Sequence, residues 1–219
     1  MNRPEVRPDP RYGRYAGMFA LFLLLLVTIN TIVTKPNGAR GIAAGHELPP
    51  FAVPLATGTL SGDADVATAP DEGALGRVPA CQERGAQILN VCQLYEHTPL
   101  VLALFVDEGS CQAVLGEMQA LVGAFPEVSF AAVAIKGHRS ALRKLIRARG
   151  LSMPLGIDSD GALASLYKVA SCPQVTFALP GGVVQSAALL TRPSPALLRE
   201  RVRELVAVAR AHGWRGPGA

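Results

Sequence analysis

The alternation of apolar and polar positions predicts alternating strands and helices in the second half of the chain. Two uninterrupted apolar runs, Leu100–Val106 and Val128–Ile135, are typical of buried strands. Between them, apolar residues recur at helical spacing and predict a helix over Gln112–Phe125. The pattern therefore predicts a strand–helix–strand unit.

The next segments continue this alternation. A helix is predicted over Ser140–Ala148, with Ser140 as its N-cap and Gly150 as its stop. A short strand near Leu155–Ile157 then precedes a helix over Gly161–Tyr167.

The C-terminal part predicts a hairpin and a final helix. Two strand-like runs, Gln174–Leu179 and Val183–Leu190, are joined by Pro180-Gly181-Gly182, which is a hairpin signal. The last helix begins at Ser194-Pro195, since serine is a good N-cap and proline suits the first turn. The complete order βαβαβαββα implies an α/β fold. Its mixed sheet is parallel first and antiparallel at its end, with helices on both faces.

The segments before this core predict less regular structure. Leu48–Leu55 is a candidate edge strand, because its prolines cannot donate ladder hydrogen bonds. Residues 57–79 are rich in Gly, Ala and Asp and predict a loop that crosses the surface. Lys35–Gly45 is a Gly/Ala-rich tether without apolar periodicity.

The N-terminal region predicts a membrane anchor. Tyr15–Thr34 is a run of 20 residues without a charge. A helix of that length reaches roughly 30 Å, the thickness of the hydrocarbon core. Arginines precede the run, so the positive-inside rule predicts a single-pass protein of the cell membrane, with its N-terminus in the cytoplasm, its domain outside and membrane lipid as a partner. The alternative is a cleaved signal peptide with Ala43-Ala44-Gly45 as its small-residue site.

Composition, charge and the spacing of histidines and cysteines limit the classes of function that this chain can have. An apolar fraction of 49% is enough for a real core, and the net charge is +4. The basic residues are scattered and are not interleaved with aromatic residues, so a nucleic-acid partner is not expected. The four histidines stand alone and no two cysteines have a finger-like spacing, so neither a metal nor a cofactor is predicted.

Two cysteines are the candidate reactive residues. Cys111 falls between a predicted strand and a predicted helix, and a helix start favours the thiolate form of a cysteine. Cys172 lies 61 residues later and directly precedes Pro173, at the start of another strand-like run. A C-x-x-C motif is not present, because Val114 stands where its second cysteine would be.

This arrangement resembles the thioredoxin-like superfamily, and especially its membrane-tethered redoxin-type members. The resemblance rests on three segments in order: Leu48–Pro54, Asp158–Tyr167 and Cys172–Gly182. It implies a thioredoxin-like mixed sheet flanked by helices, with Pro173 in a cis peptide bond on a loop that faces the substrate and the reactive cysteine.

The resulting organisation has five parts. They are a cytoplasmic tail at residues 1–14, a transmembrane helix at 15–34, a tether at 35–47, a thioredoxin-like domain at 48–213 with a loop or hairpin insertion near 57–97, and a C-terminal tail at 214–219.

The cysteines of an extracytoplasmic domain are free to form disulfides, and four cysteines allow three pairings. The pairing favoured here is Cys81–Cys92 as a structural staple and Cys111–Cys172, because the residue before the cis-proline lies close to the helix start in the fold that the resemblance implies.

Three functions remain open. The first is thiol–disulfide exchange, in which Cys111 attacks a protein thiol or disulfide partner and Cys172 resolves the mixed disulfide. The second is a redox-inactive binding or structural domain with permanent disulfides. The third is a single-cysteine peroxidase; the peroxiredoxins it resembles need Thr or Ser three residues before the cysteine, where this chain has Glu108.

Overall fold

The computed structural model describes residues 10–33, 41–60 and 79–217. The chain divides into two units, Met1–Gly38 and Ala39–Ala219. In the first unit, Pro10–Val33 forms helix α1, of 24 residues. Within the described part of the chain, no helix combines the length and apolarity needed to cross a bilayer, so the predicted transmembrane helix at residues 15–34 is not supported. Residues 1–9, 34–40, 61–78 and 218–219 of the predicted tails, tether and loop lie outside the described residues.

The second unit is built around a five-stranded sheet, with a small two-stranded sheet beside it. The strands are β1 Ala52–Pro54, β2 Ile88–Asn90, β3 Leu100–Val106, β4 Ser129–Ile135, β5 Leu155–Asp158, β6 Gln174–Ala178 and β7 Val184–Leu189. The helices after α1 are α2 Val91–Tyr95, α3 Ala113–Val122, α4 Arg139–Arg149, α5 Ala162–Leu166 and α6 Pro195–Ala211.

The large sheet confirms the predicted mixed topology. Its strand order is β5-β4-β3-β6-β7. The β3–β4 and β4–β5 pairs are parallel, whereas β3–β6 and β6–β7 are antiparallel. Gly181 and Gly182 turn between β6 and β7 with φ of 87° and 86°, which glycine adopts without a side-chain clash.

Helices cover both faces of this sheet. On one face, α3, α4 and α6 bury an apolar cluster that includes Leu115, Leu142 and Val202. On the other face, α5 and the small sheet bury a second cluster that includes Phe51 and Tyr167. The sheet is therefore apolar on both sides, which explains the uninterrupted apolar run of β3.

The Leu48–Leu55 segment contains a short edge strand, as predicted. Its strand β1 is one of the two strands of the small sheet and pairs antiparallel with β2, a partner that the sequence pattern did not predict. One local prediction is corrected. Ser140 does not cap α4, because the helix begins one residue earlier and its N-cap position, His138, makes no side-chain capping bond. Gly150 ends α4 as predicted, with φ of 57°. Ser194 caps α6 as predicted and accepts a hydrogen bond from the Leu197 N–H.

Two arginines of α4 hold the segment that follows β1. The Arg139 guanidinium donates to the carbonyl oxygens of Leu55, at 2.6 Å, and of Gly58 and Leu60. Arg143 donates to the carbonyl oxygen of Ala56 at 3.0 Å and shares the Gly58 oxygen at 2.7 Å. The Leu55 oxygen also accepts from the Gly58 N–H at 3.1 Å, so the turn and the two guanidinium groups together satisfy these carbonyls.

Candidate functional site

Cys111 lies where the central strand β3 passes into α3. After Val106 the chain makes a short turn and a 3-10 segment, Gly109–Gln112, that leads directly into the helix. The Cys111 N–H donates to the Glu108 carbonyl oxygen at 3.0 Å. The cysteine is 9% exposed and belongs to the apolar cluster beneath α3.

Cys172 lies on the loop that leads into β6. The Cys172–Pro173 peptide bond is cis. A disulfide joins Cys172 to Cys111, and their Cα atoms are 5.3 Å apart. The Val106 N–H donates to the Cys172 sulfur at 3.2 Å. The structure therefore brings the two predicted catalytic cysteines together beside Pro173, while their catalytic roles stay predictions.

Sheet topology explains why residues so distant in sequence meet here. Strands β3 and β6 are antiparallel neighbours, and Leu104 of β3 pairs with Gln174 of β6. Beyond that pair, β3 runs on towards Cys111, while the chain that enters β6 comes from Cys172. The disulfide lies at this end of the ladder.

Polar contacts brace the turn that carries Cys111. The Gln112 side-chain amide donates to Asp107 Oδ1 at 2.7 Å, and Arg149 Nη1 donates to the Gln112 carbonyl oxygen at 2.8 Å. Asp107 is thus engaged in holding the turn closed, and Glu108 is exposed. Arg149, at the end of α4, places a positive charge next to the start of α3.

An ion pair that the sequence did not predict ties α3 to the segment after β7. Arg192 Nε donates to Glu117 Oε1 at 2.8 Å, and Arg192 Nη2 lies 2.8 Å from the same oxygen. The Ser171 hydroxyl, next to Cys172, donates to the carbonyl oxygen of Leu190 in the same segment. These contacts link both α3 and the loop that carries Cys172 to the segment that follows β7.

The second disulfide, Cys81–Cys92, has a Cα–Cα distance of 5.4 Å and lies near the small sheet. Asn90 supports the same region, because its Nδ2 donates to the carbonyl oxygens of Ala80 and Glu83 at 2.7 and 2.8 Å. Its Oδ1 accepts from the Gln93 N–H at the start of α2. Disulfide and asparagine together hold a segment that has little regular structure.

Asp158 is a buried carboxyl and the last residue of β5. It lies at the end of the sheet where β3 passes into the turn that carries Cys111. It lies in register with Ile135, which in turn pairs with Val106. Burial raises its pKa from 3.8 to about 7, and a hydrogen bond with Asp160 acts in the same direction. Its two oxygens accept from the N–H groups of Gly161 and Leu163, at 3.1 and 3.0 Å, so it organises the start of α5.

A surface cleft lies away from the cysteine pair. Its volume is about 850 Å³, and Trp214 lines it together with Glu96 and His97. The Trp214 indole N–H donates to the His97 carbonyl oxygen at 2.8 Å. Within residues 10–33, 41–60 and 79–217, no three His, Cys, Asp or Glu side chains are grouped as metal ligands.

No protein-family model matches the chain, and no curated protein matches it either. Solved structures do match. A thiol-disulfide oxidoreductase from Bacteroides fragilis has a TM-score of 0.53 and 14% identity, over 73% of this chain and 99% of its own. Peroxidoxin BcpB from Mycobacterium tuberculosis has a TM-score of 0.53 and 15% identity, over 78% and 97%.

The MTB protein DsbF, in its mixed oxidized and reduced forms, is 24% identical with a TM-score of 0.50, over 58% of this chain and 98% of its own. Identities this low establish the fold alone. The chain has the thioredoxin-like fold that the sequence predicted.

Proposed function

We propose that this protein carries out thiol–disulfide exchange outside the cytoplasm, through Cys111 with Cys172 as its partner. The observation that carries the proposal is the disulfide between these cysteines, next to Pro173 and at the start of α3. A helix start stabilises the thiolate that exchange requires. The partners implied are protein thiols or disulfides.

The location outside the cytoplasm is part of this proposal. Disulfides persist in oxidising compartments, and both cysteine pairs of the domain are disulfide-bonded. A reporter that is active only in the cytoplasm, fused after Ala219, is expected to be inactive. An active reporter would contradict this topology.

Membrane attachment through residues 15–34 stays a prediction from the sequence. The domain itself argues against the alternative of signal-peptide cleavage near Ala44, since Ile42 is only 7% exposed and the Gly41 N–H donates to the Lys168 carbonyl oxygen at 3.4 Å. Cleavage there would remove a buried side chain. Alkaline extraction of membranes is expected to leave the full-length chain in the pellet, whereas release of a chain that begins near Gly45 would favour cleavage.

The exchange activity is tested by reduction of insulin disulfides. The reduced wild-type protein is expected to accelerate insulin precipitation, and Cys111→Ser and Cys172→Ser are each expected to abolish turnover. The double variant Cys81→Ser/Cys92→Ser is the matched control and is expected to keep the activity, because that pair lies elsewhere in the fold.

A second candidate, a redox-inactive binding or structural domain, is favoured by the burial of Cys111. It predicts that the Cys111–Cys172 bond resists dithiothreitol until the protein unfolds. Alkylation of Cys111 and Cys172 in dithiothreitol-treated protein that keeps its near-ultraviolet circular dichroism would exclude this candidate.

A further inference from the structure

The two sulfur atoms of the Cys111–Cys172 disulfide have different surroundings. Cys111 is 9% exposed and is a member of the apolar cluster beneath α3. Cys172 is only partly buried and packs against the margin of that cluster. Access is one of the factors that decide which sulfur of a disulfide is attacked by a thiolate.

Attack by a thiolate needs free space on the side of the attacked sulfur opposite the sulfur that leaves. The burial of Cys111 among the apolar residues of its cluster opposes an attack on that cysteine. An attack on Cys172 approaches a side chain that retains contact with solvent.

Cys111, the more buried of the two cysteines, is also the better leaving group. Cys111 lies two residues before α3, and no side chain caps the start of that helix at Gln112. The positive end of the helix dipole stabilises a thiolate near the start of a helix. A sulfur that leaves as a stabilised thiolate leaves faster, so breaking the bond towards Cys111 is favoured.

We propose that an external thiol attacks Cys172 in the oxidised protein and that Cys111 is the leaving thiolate. This inference rests on the proposed exchange function and reverses the order that the sequence predicts, in which Cys111 makes the intermolecular bond. The Val106 N–H, 3.2 Å from the Cys172 sulfur, fixes the position of that atom and acts in the later step, where it stabilises Cys172 as the thiolate released from the mixed disulfide.

The incoming thiolate forms a bond to Cys172 Sγ, the Cys111–Cys172 bond breaks, and its electron pair passes to Cys111 Sγ. A second thiolate of the donor attacks the donor sulfur of this mixed disulfide, which releases the donor as a disulfide and Cys172 as a thiolate. Two donor thiols are oxidised, one protein disulfide is reduced, and the thiol protons pass to solvent or to the cysteines. In the opposite direction Cys172 attacks a partner disulfide and Cys111 resolves the product.

Trapping the first step in the wild-type protein tests the order of attack. The oxidised full-length protein is mixed with excess glutathione, quenched with iodoacetamide at a series of short times, digested without reduction and analysed by mass spectrometry. Glutathione is expected on Cys172 and the alkyl group on Cys111, in roughly tenfold or greater excess over the reverse arrangement. The Cys81–Cys92 pair serves as the internal control and is expected to remain unmodified.

Two results would overturn the inference in distinguishable ways. Glutathione on Cys111 with alkylation of Cys172, or equal yields of the two products, contradicts the order while leaving exchange through this pair intact. Absence of any adduct while the protein stays folded contradicts both the order and the proposed function.

Discussion

Replacing Arg139 tests whether the basic residues of α4 organise the domain. Arg139→Ala removes a guanidinium that donates to three carbonyl oxygens, those of Leu55, Gly58 and Leu60. The side chain is half-buried, so part of the loss is recovered when water reaches these oxygens. At about 1 kcal/mol for each hydrogen bond, the expected cost is about 2–3 kcal/mol of the free energy of unfolding.

Thermal unfolding measures this effect. In a domain of this size, 1 kcal/mol shifts Tm by roughly 2–4 °C, so Arg139→Ala is expected to lower Tm by about 5–10 °C. Arg147→Ala is the matched control on the same helix, because Arg147 is exposed and its loss is expected to cost no more than about 0.5 kcal/mol. Arg139→Lys is expected to fall between wild type and alanine, since a lysine ammonium lacks the planar fork that reaches several acceptors.

The same three arginine variants can also refute this reasoning. Equal Tm values for Arg139→Ala and Arg147→Ala would show that the carbonyl contacts contribute nothing. A wild-type Tm for Arg139→Lys would show that charge, rather than the geometry of the guanidinium, is what the segment requires.

The remaining tests concern a buried carboxyl, a disulfide and a buried phenol. Because the pKa of Asp158 is raised to about 7 in the folded protein, its proton contributes stability that is complete below about pH 4 and is lost as pH rises through about 7. The Tm of the wild-type protein is therefore expected to fall as pH rises from about 4 to 7, and Asp158→Asn is expected to reduce this fall. The same dependence of Tm on pH in both proteins would contradict this. Replacing Cys81 and Cys92 with serine is expected to cost ~3 kcal/mol in chemical denaturation without altering thiol reactivity at Cys111; wild-type stability would refute the staple. Tyr167→Phe removes a hydrogen bond of 2.7 Å to the Pro49 carbonyl oxygen and is expected to cost about 1 kcal/mol, with a neutral result excluding that role.

The central strands of the large sheet followed from the sequence because they are buried on both faces. Such strands read as continuous apolar runs, and Leu100–Val106 was predicted with the bounds that the structure has. The segment around β2 and α2 was missed for the opposite reason. Its elements are only three and five residues long, and its order depends on the Cys81–Cys92 disulfide and on the buried side chain of Asn90, neither of which has a periodic signal.

The candidate site was predictable only in part. Its two cysteines were found from their places at a strand–helix junction and before a proline. The contacts that surround them join residues far apart in the chain, such as Arg192 and Glu117 at a separation of 75 residues. No local pattern encodes such a pair, or the unequal burial of Cys111 and Cys172, because both depend on how the helices pack over the sheet.

The position of the cysteine pair at the end of the β3–β6 ladder has a kinetic consequence. Leu104 and Gln174 are held as neighbours by a backbone ladder that does not include the sulfur atoms. In the proposed exchange reaction, reduction is therefore expected to leave two thiols tethered at a high effective concentration, with little chain entropy to lose when the bond forms again. A mixed disulfide with a partner is accordingly expected to be short-lived, because the second cysteine competes with all external thiols from a fixed position a few ångströms away.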